Sequence, residues 1–217
     1  MMKRIKYYWT SYALILFLFA LNVKAQDKQI KETNLGESPA QAIDLGLPSG
    51  IKWASCNVGA SKTTEYGLFF AWGETISKRK FTEENYQHFY QGNYIHLKDI
   101  SNTQYDVAKA NWGGTWRMPT KDDFMELLKN CHYQWTTKHG VKGGLFTGPN
   151  GNSIFLPASG LRIESTTDNK RSYGCYWLST QDEKYVDFAY AMCVSSSQCF
   201  RSSHLCGYGL SIRPVTE

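Results

Sequence analysis

The sequence lacks the short motifs that mark several large enzyme classes. It contains no Gly-x-Ser-x-Gly nucleophile elbow, no Walker phosphate-binding loop and no His-Glu-x-x-His zinc motif. Cys131 and His132 are adjacent, but neighbouring side chains on a helix diverge by about 100°, so these two residues alone cannot form a nucleophile–base pair. These absences predict a protein that is not an enzyme and that needs no cofactor.

A strong net charge is also absent once a predicted export signal is set aside. Residues 1–25 combine a positive start with the apolar run Ala13–Leu21, which is too short to span a bilayer, and end in the cleavage-type sequence Val23-Lys24-Ala25. The chain carries +5, but four basic residues lie in this segment, which leaves 20 basic residues against 19 acidic ones. We therefore expect an exported protein, at the cell surface, outside the cell or in the periplasm, with no nucleic-acid partner and no membrane insertion after cleavage.

Internal repeats and a second long apolar run are missing too, which favours a single domain. Residues 26–40 are polar and aperiodic, as in a flexible lead-in. Residues 41–217 are long enough for one domain with a sizeable core, and their glycines and aromatics are typical of a loop-rich fold.

Local patterns predict a few elements within this domain. A Pro-Ser-Gly turn in Ala42–Gly59 indicates a hairpin, and Glu65–Gly73 reads as a strand. Asp106–Asn111 favours a short helix. Thr120 is the predicted N-cap of a longer helix, whose apolar stripe is Phe124, Leu127, Leu128 and Cys131. Further strands are predicted at Tyr176–Thr180, Val186–Val194 and Tyr208–Val215, with a loop between the last two.

Six cysteines in an exported chain favour disulfides over free thiols. Six cysteines allow 15 pairings, so the sequence does not determine the connectivity. Because both lie in apolar, element-like contexts, Cys56 and Cys131 are the preferred pair. Disulfides among Cys193, Cys199 and Cys206 would stiffen the C-terminal loop.

Five motifs occur in an order typical of one secreted bacterial family. They are Ile43–Gly50, Lys52–Ala60, Tyr66–Glu74, Trp112–Thr120 and Ser211–Val215. Together they resemble the Fibrobacter succinogenes major paralogous domain family across residues 41–217, and Trp116–Thr120 is also similar to an element of the formylglycine-generating enzyme superfamily. The resemblance implies an α+β, C-type-lectin-like fold: a twisted mixed or antiparallel sheet, about two helices and long loops. It does not establish a function, because one fold carries many.

Some relatives of this fold in bacteria have C-terminal, ligand-facing residues that are rewritten by adenine-directed mutagenesis from a template repeat. That mechanism starts from asparagine codons and favours Tyr, Ser, Cys, His, Phe, Gly and Leu. The segment Tyr173–Tyr208 is rich in these types and contains no asparagine. The resemblance therefore implies the hypothesis of a retroelement-diversified segment, whose alternative is an ordinary serine-rich loop with local disulfides.

Metal ligands in the usual arrangements are scarce. Cys193-x5-Cys199-x4-His204-x-Cys206 lacks the usual zinc spacing, and the stretch from Cys193 to Val215 contains no carboxylate for a hard cation such as calcium. We therefore expect no metal site.

The remaining chemistry is that of a binding surface for a protein or glycan at or outside the cell surface. Tyrosine offers contact area and serine offers adaptable hydrogen bonds. The candidate contact residues are Tyr173, Cys175, Tyr190, Ser195, Ser197, Phe200, Ser202, His204 and Tyr208. The alternatives are a structural cell-surface component without a discrete ligand and, less favoured, a formylglycine-generating-like enzyme.

Overall fold

A computed structural model describes residues 40–217. The predicted signal (1–25) and all of the predicted lead-in except Ala40 lie outside the described residues. The described part is an α+β structure, made mostly of β-sheet with two α-helices. No described helix is long and apolar enough to cross a membrane.

The elements follow one another in this order. The helices are α1 (Val107–Trp112), α2 (Lys121–Asn130) and a 3₁₀ turn at Glu83–Asn85. The strands are β1 (Ala42–Asp44), β2 (Lys52–Ala54), β3 (Phe89–Tyr90), β4 (Asn93–Tyr94), β5 (His132–Lys138), β6 (Val141–Thr147), β7 (Ser153–Pro157), β8 (Leu161–Ile163), β9 (Thr166–Asp168), β10 (Tyr173–Gln181), β11 (Phe188–Ser195), β12 (Cys199–Leu205) and β13 (Val215–Thr216).

The antiparallel sheet β10–β11–β12 lies between two hydrophobic cores. Side chains alternate across a strand, so Trp177 enters the first core and its neighbour Tyr176 enters the second. The first core is completed largely by residues of loops, such as Trp72, whose indole N–H donates to Leu178 O at 2.8 Å. The second is completed by α2 and by the sheets β5–β6–β7 and β1–β2–β13. The central sheet therefore presents two differently covered faces.

The two ends of the described domain meet in one small sheet. The predicted hairpin is confirmed, because β1 pairs with β2 around the Pro-Ser-Gly turn. The other edge of β2 pairs with β13 near the C-terminus. Arg213, just before β13, is completely buried and donates to Asn57 Oδ1 at 2.8 Å, Ala54 O at 3.1 Å and Phe155 O at 3.0 Å. One side chain thus ties the terminal segment to two other parts of the fold.

Both predicted helices are confirmed, and each begins at a capping residue. Asp106 accepts from Ala108 N and Lys109 N at the start of α1. Thr120 starts α2 in a capping box, in which Thr120 Oγ1 accepts from Asp123 N and Asp123 Oδ2 accepts from Thr120 N. In the predicted apolar stripe of α2, Phe124 and Leu127 are fully buried, while Leu128 and Cys131 are half-buried.

Three predicted elements are corrected. Glu65–Gly73 is not a strand, because Phe70 alone forms an isolated bridge, to Leu210. The closing strand is limited to Val215–Thr216, and the region before it makes only isolated bridges. The segment between β11 and Tyr208 is not a loop, because Cys199–Leu205 forms the strand β12. Its polar sequence lacks the apolar alternation that identifies a half-buried strand.

Candidate functional site

Two faces of the β10–β11–β12 sheet separate the candidate residues. Directly opposed residues in an antiparallel pair point to the same face. Cys193 opposes Phe200, Ala191 opposes Ser202 and Ala189 opposes His204. Cys175 opposes Cys193, which places β10 residues of odd number on this same face. Five candidates therefore share the face of the first core: Tyr173, Cys175, Phe200, Ser202 and His204.

Four of these five residues are partly exposed and form a row that we call the edge strip: Tyr173, Phe200, Ser202 and His204. Phe200, Ser202 and His204 alternate along β12, and the Phe200 ring lies 6.1 Å from the Tyr173 ring. Both rings pack their inner edges on the first core. The edge strip is therefore a surface of aromatic, hydroxyl and imidazole groups, and its two aromatic rings pack against the first core.

The outer edge of β12 adds backbone hydrogen-bonding groups to this surface. Ser195 N donates to Gln198 O at one end of the β11–β12 hairpin, and Cys206 N donates to Asp187 O at the other end. Because hydrogen-bonded and non-bonded pairs alternate along antiparallel strands, these two bonds set the pattern for the whole hairpin. In that pattern Phe200, Ser202 and His204 bond to β11, while the backbone groups of Cys199, Arg201 and Ser203 point away from it. No strand among residues 40–217 pairs with this edge. It is an open sheet edge beside the edge strip.

Ser195 is the last residue of β11, and Ser197 lies in the turn between β11 and β12. Their hydroxyls are 3.0 Å apart, and Ser195 Oγ also donates to Gln198 O at 2.9 Å. The phenol of Tyr133 donates to Ser195 O at 2.6 Å and ties the turn to the neighbouring sheet. Tyr208 follows β12 in a separate turn, where it is partly exposed and packs on the first core. These three candidates flank the edge strip at its two ends.

Tyr190 is corrected from a contact residue to a core residue. It lies on the opposite face of the sheet, in the second core, and is 9% exposed. Two cations cover its ring: the Arg201 guanidinium at 4.6 Å and the Lys121 ammonium at 5.8 Å. The period-two pattern of β11 predicted a half-buried strand, but both faces of β11 are covered.

The disulfide expectation is also corrected. The bond joins Cys175 and Cys193, whose Cα atoms are 4.4 Å apart across β10 and β11. Cys56 and Cys131 are free, as are Cys199 and Cys206. Cys56 Sγ donates instead to Ala60 O at 3.2 Å. An apolar context indicates burial of a cysteine, but a disulfide needs a second sulfur within reach, which only the strand register supplies.

Cys175 is therefore a support for the edge strip rather than a contact. It is completely buried, as is Cys193, and the bond between them lies on the same face of the sheet, with Cys175 two residues from Tyr173 and Cys193 directly opposite Phe200. Sequence reasoning missed this pairing. The signal that could have found it is the symmetric placement of the two cysteines about the turn between two adjacent strand-like runs.

His204 contacts both disulfide sulfurs. Its Nε2 is 3.3 Å from Cys175 Sγ and 3.6 Å from Cys193 Sγ, and its ring meets the edge of Trp177 at 6.4 Å. Burial lowers the pKa of the His204 imidazole, because the charged form loses hydration there. Burial therefore favours the neutral form of the ring.

Two surface depressions lie away from the edge strip. One, of about 590 Å³, is lined by Pro48 and by residues of α2. The other, of about 330 Å³, is lined by His96, Lys98, Asp99 and residues 180–183. Neither includes a candidate contact residue, so the edge strip is an open surface rather than part of these cavities.

Comparison with known proteins yields no relative. Neither the family models, nor the curated proteins, nor the solved structures contain a match to this chain.

Proposed function

We propose that this chain is an exported, non-enzymatic binding protein with a C-type-lectin-like fold, and that its edge strip recognises a protein ligand. One observation carries the proposal: Tyr173, Phe200, Ser202 and His204, selected from the sequence as contact residues, share one half-exposed face at an open sheet edge. Aromatic and small polar side chains of this kind give large contact area and adaptable hydrogen bonds.

The support beneath the strip favours binding. The Cys175–Cys193 bond crosslinks β10 and β11, and Phe200 and Tyr173 rest on the packed first core. Side chains that are already ordered lose less conformational entropy when a ligand binds. The strip is thus preorganised in the free protein.

The chemistry of the strip favours a protein over a glycan. The stretch from Cys193 to Val215 has no carboxylate, so it offers no side chain of the type that coordinates calcium for sugar recognition. The outward backbone groups of Cys199, Arg201 and Ser203 can instead bond an extended peptide, which would add a strand to the sheet.

A triple variant tests the proposal. Peptide-display selection on the full chain should enrich one binding sequence, and replacement of Ser197, Phe200 and Ser202 by Ala should weaken its capture by at least about tenfold. The melting temperature should stay within a few degrees, because the two serines are on the surface and Phe200 is only half-buried. Binding is measured by surface plasmon resonance and stability by calorimetry.

A matched control removes comparable groups elsewhere. Tyr90 and Thr137 are exposed and lie on other sheets, so their joint replacement by Ala should leave capture unchanged. A large loss of stability in the triple variant would mean that the strip is structural. Selective binding on a glycan array, abolished by the same variant, would replace the protein ligand by a sugar. Self-association without any selected peptide would favour a structural surface component.

The diversification hypothesis makes a separate prediction about which codons vary. Deep sequencing of the codons for residues 172–214, in a population grown from one clone, should show adenine-templated variation at exposed or half-buried positions such as Ser197, Phe200 and Ser202. Cys175 and Cys193 should stay constant, because their loss would remove the bond under the strip. An invariant segment with no template repeat nearby would contradict diversification and leave a binder of one fixed ligand.

A further inference from the structure

The cluster of Cys175, Cys193 and His204 has a geometry that a disulfide alone does not require. Its three potential ligand atoms, two Sγ and one Nε2, lie within 4.8 Å of one another. They come from three adjacent strands and from one face of the sheet. Their relative positions are therefore held by backbone pairing rather than by a flexible loop.

The sulfur–nitrogen distances match those of a tetrahedral zinc ion. Zn–S bonds of about 2.3 Å and Zn–N bonds of about 2.0 Å, at a tetrahedral angle, place sulfur and nitrogen about 3.5 Å apart. The observed separations from His204 Nε2 are 3.3 Å to Cys175 Sγ and 3.6 Å to Cys193 Sγ. In the disulfide state the imidazole nitrogen is thus already at zinc-type distances from both sulfurs.

The two sulfurs need only a small rearrangement. Tetrahedral geometry places two zinc-bound thiolates about 3.8 Å apart. Cys175 and Cys193 form a directly opposed pair of residues whose backbone groups do not bond each other, with Cα atoms 4.4 Å apart. Once the bond is reduced, side-chain rotation separates the sulfurs without a shift of either strand.

The two cysteines of the cluster are buried, and the other thiols lie apart from them. Both cysteines are completely buried, and His204 Nε2 lies 3.3 Å from one sulfur and 3.6 Å from the other. The other thiols are not part of the cluster: Cys199 faces the second core, Cys131 is the C-cap residue of α2, and Cys56 and Cys206 lie outside the helices and strands. The zinc-type grouping considered from the sequence was Cys193, Cys199, His204 and Cys206. The structure instead brings together Cys175, Cys193 and His204.

We infer that Cys175, Cys193 and His204 form a redox-gated site for a zinc-class divalent ion, with a fourth coordination position left open. In the oxidised state both sulfurs are used in the disulfide. A thiol or phosphine reductant supplies two electrons, the S–S bond breaks, and each sulfur takes up one proton. Binding of Zn²⁺ then displaces both protons and forms two Zn–S bonds and one Zn–N bond. This inference goes beyond the proposed ligand binding and does not depend on it.

Metal titration of the full chain tests the site. The protein is reduced anaerobically with a phosphine, the reductant is removed, and Co²⁺ is added, followed by Zn²⁺. We expect one ion per reduced chain, thiolate-to-cobalt absorption that Zn²⁺ abolishes, and no binding by the oxidised chain. His204→Ala should weaken Zn²⁺ binding by at least about tenfold, and Cys175→Ser should abolish the absorption.

Two thiol variants serve as matched controls. Cys199→Ser and Cys206→Ser each remove a buried thiol outside the cluster, so both should bind Zn²⁺ as the unaltered chain does. Far-ultraviolet circular dichroism monitors the fold throughout. Three results would overturn the inference: unfolding on reduction, no stoichiometric binding by the folded reduced chain, or binding that survives both His204→Ala and Cys175→Ser. The comparison of oxidised with reduced protein needs no variant, so a variant that fails to fold does not block the test.

Discussion

Replacement of Arg213 by Ala should lower the free energy of unfolding by about 3–5 kcal/mol. The side chain is completely buried and donates to Asn57 Oδ1, Ala54 O and Phe155 O. The substitution leaves these three acceptors without their donor and opens a cavity of nearly the whole side chain. In a chain of this size the melting temperature should fall by roughly 10 °C or more. Urea unfolding and calorimetry measure both quantities.

A second variant of Arg213 and a control variant at an exposed arginine show what the Arg213 side chain contributes to stability. Arg213→Lys keeps the charge but not the planar fork, so its loss should be intermediate. Arg79 is exposed, and Arg79→Ala should change the free energy of unfolding by no more than about 0.5 kcal/mol. If Arg213→Ala lost less than about 1 kcal/mol, the buried network would be dispensable. Burial lowers the pKa of Arg213, and no ion pair among residues 40–217 includes it, so the carbonyl oxygens carry its stabilisation.

Replacement of Asp106 by Ala should cost about 3–4 kcal/mol. The buried carboxylate accepts backbone N–H groups from Asn102, Ala108, Lys109 and Met118. Without it, the start of α1 loses its cap, and the Met118 N–H is left buried without a partner. Chemical denaturation gives the change in free energy, and loss of amide protection at Ala108, Lys109 and Met118 in hydrogen exchange locates it.

Asp122 provides the control for Asp106. It is exposed in the first turn of α2, so Asp122→Ala should remove only a favourable interaction with the helix dipole, about 0.5 kcal/mol. Asp106→Asn keeps one acceptor oxygen and should fall between Asp106→Ala and the unaltered chain. Equal stability of Asp106→Ala and Asp122→Ala would show that the four N–H groups find other partners, which would contradict the assigned role.

Three of the five motifs that carry the resemblance have structural roles in this chain. Ser211–Val215 supplies Arg213, Lys52–Ala60 supplies its acceptors Ala54 and Asn57, and Trp112–Thr120 supplies Arg117. Arg117 bridges to Val215 through the backbone and to Asp123 through an ion pair of 2.6 Å. The motifs thus meet around β2 and β13. Their presence predicts how the chain folds, and the edge strip lies outside them.

Local chemistry in the sequence was sufficient for the elements that depend on neighbours along the chain. Thr120 and Asp123 specify the start of α2 through their own side chains, and the Pro-Ser-Gly turn specifies the hairpin of β1 and β2. The large apolar surface of tryptophan favours burial, and Trp53, Trp72 and Trp177 are fully buried, whereas Trp112 and Trp116 are half-buried. The contact candidates were selected from the sequence alone, and their binding role stays a prediction.

Tertiary structure alone decided which candidates form one surface. Strand register places Phe200, Ser202 and His204 on the same face as Tyr173, while a shift of one position puts Tyr190 on the other face, because side chains alternate with a period of two. The same register brings Cys175 to Cys193 and both to His204, although 18 residues separate the cysteines along the chain. The amino-acid types determined what chemistry is available, and long-range pairing determined where it acts.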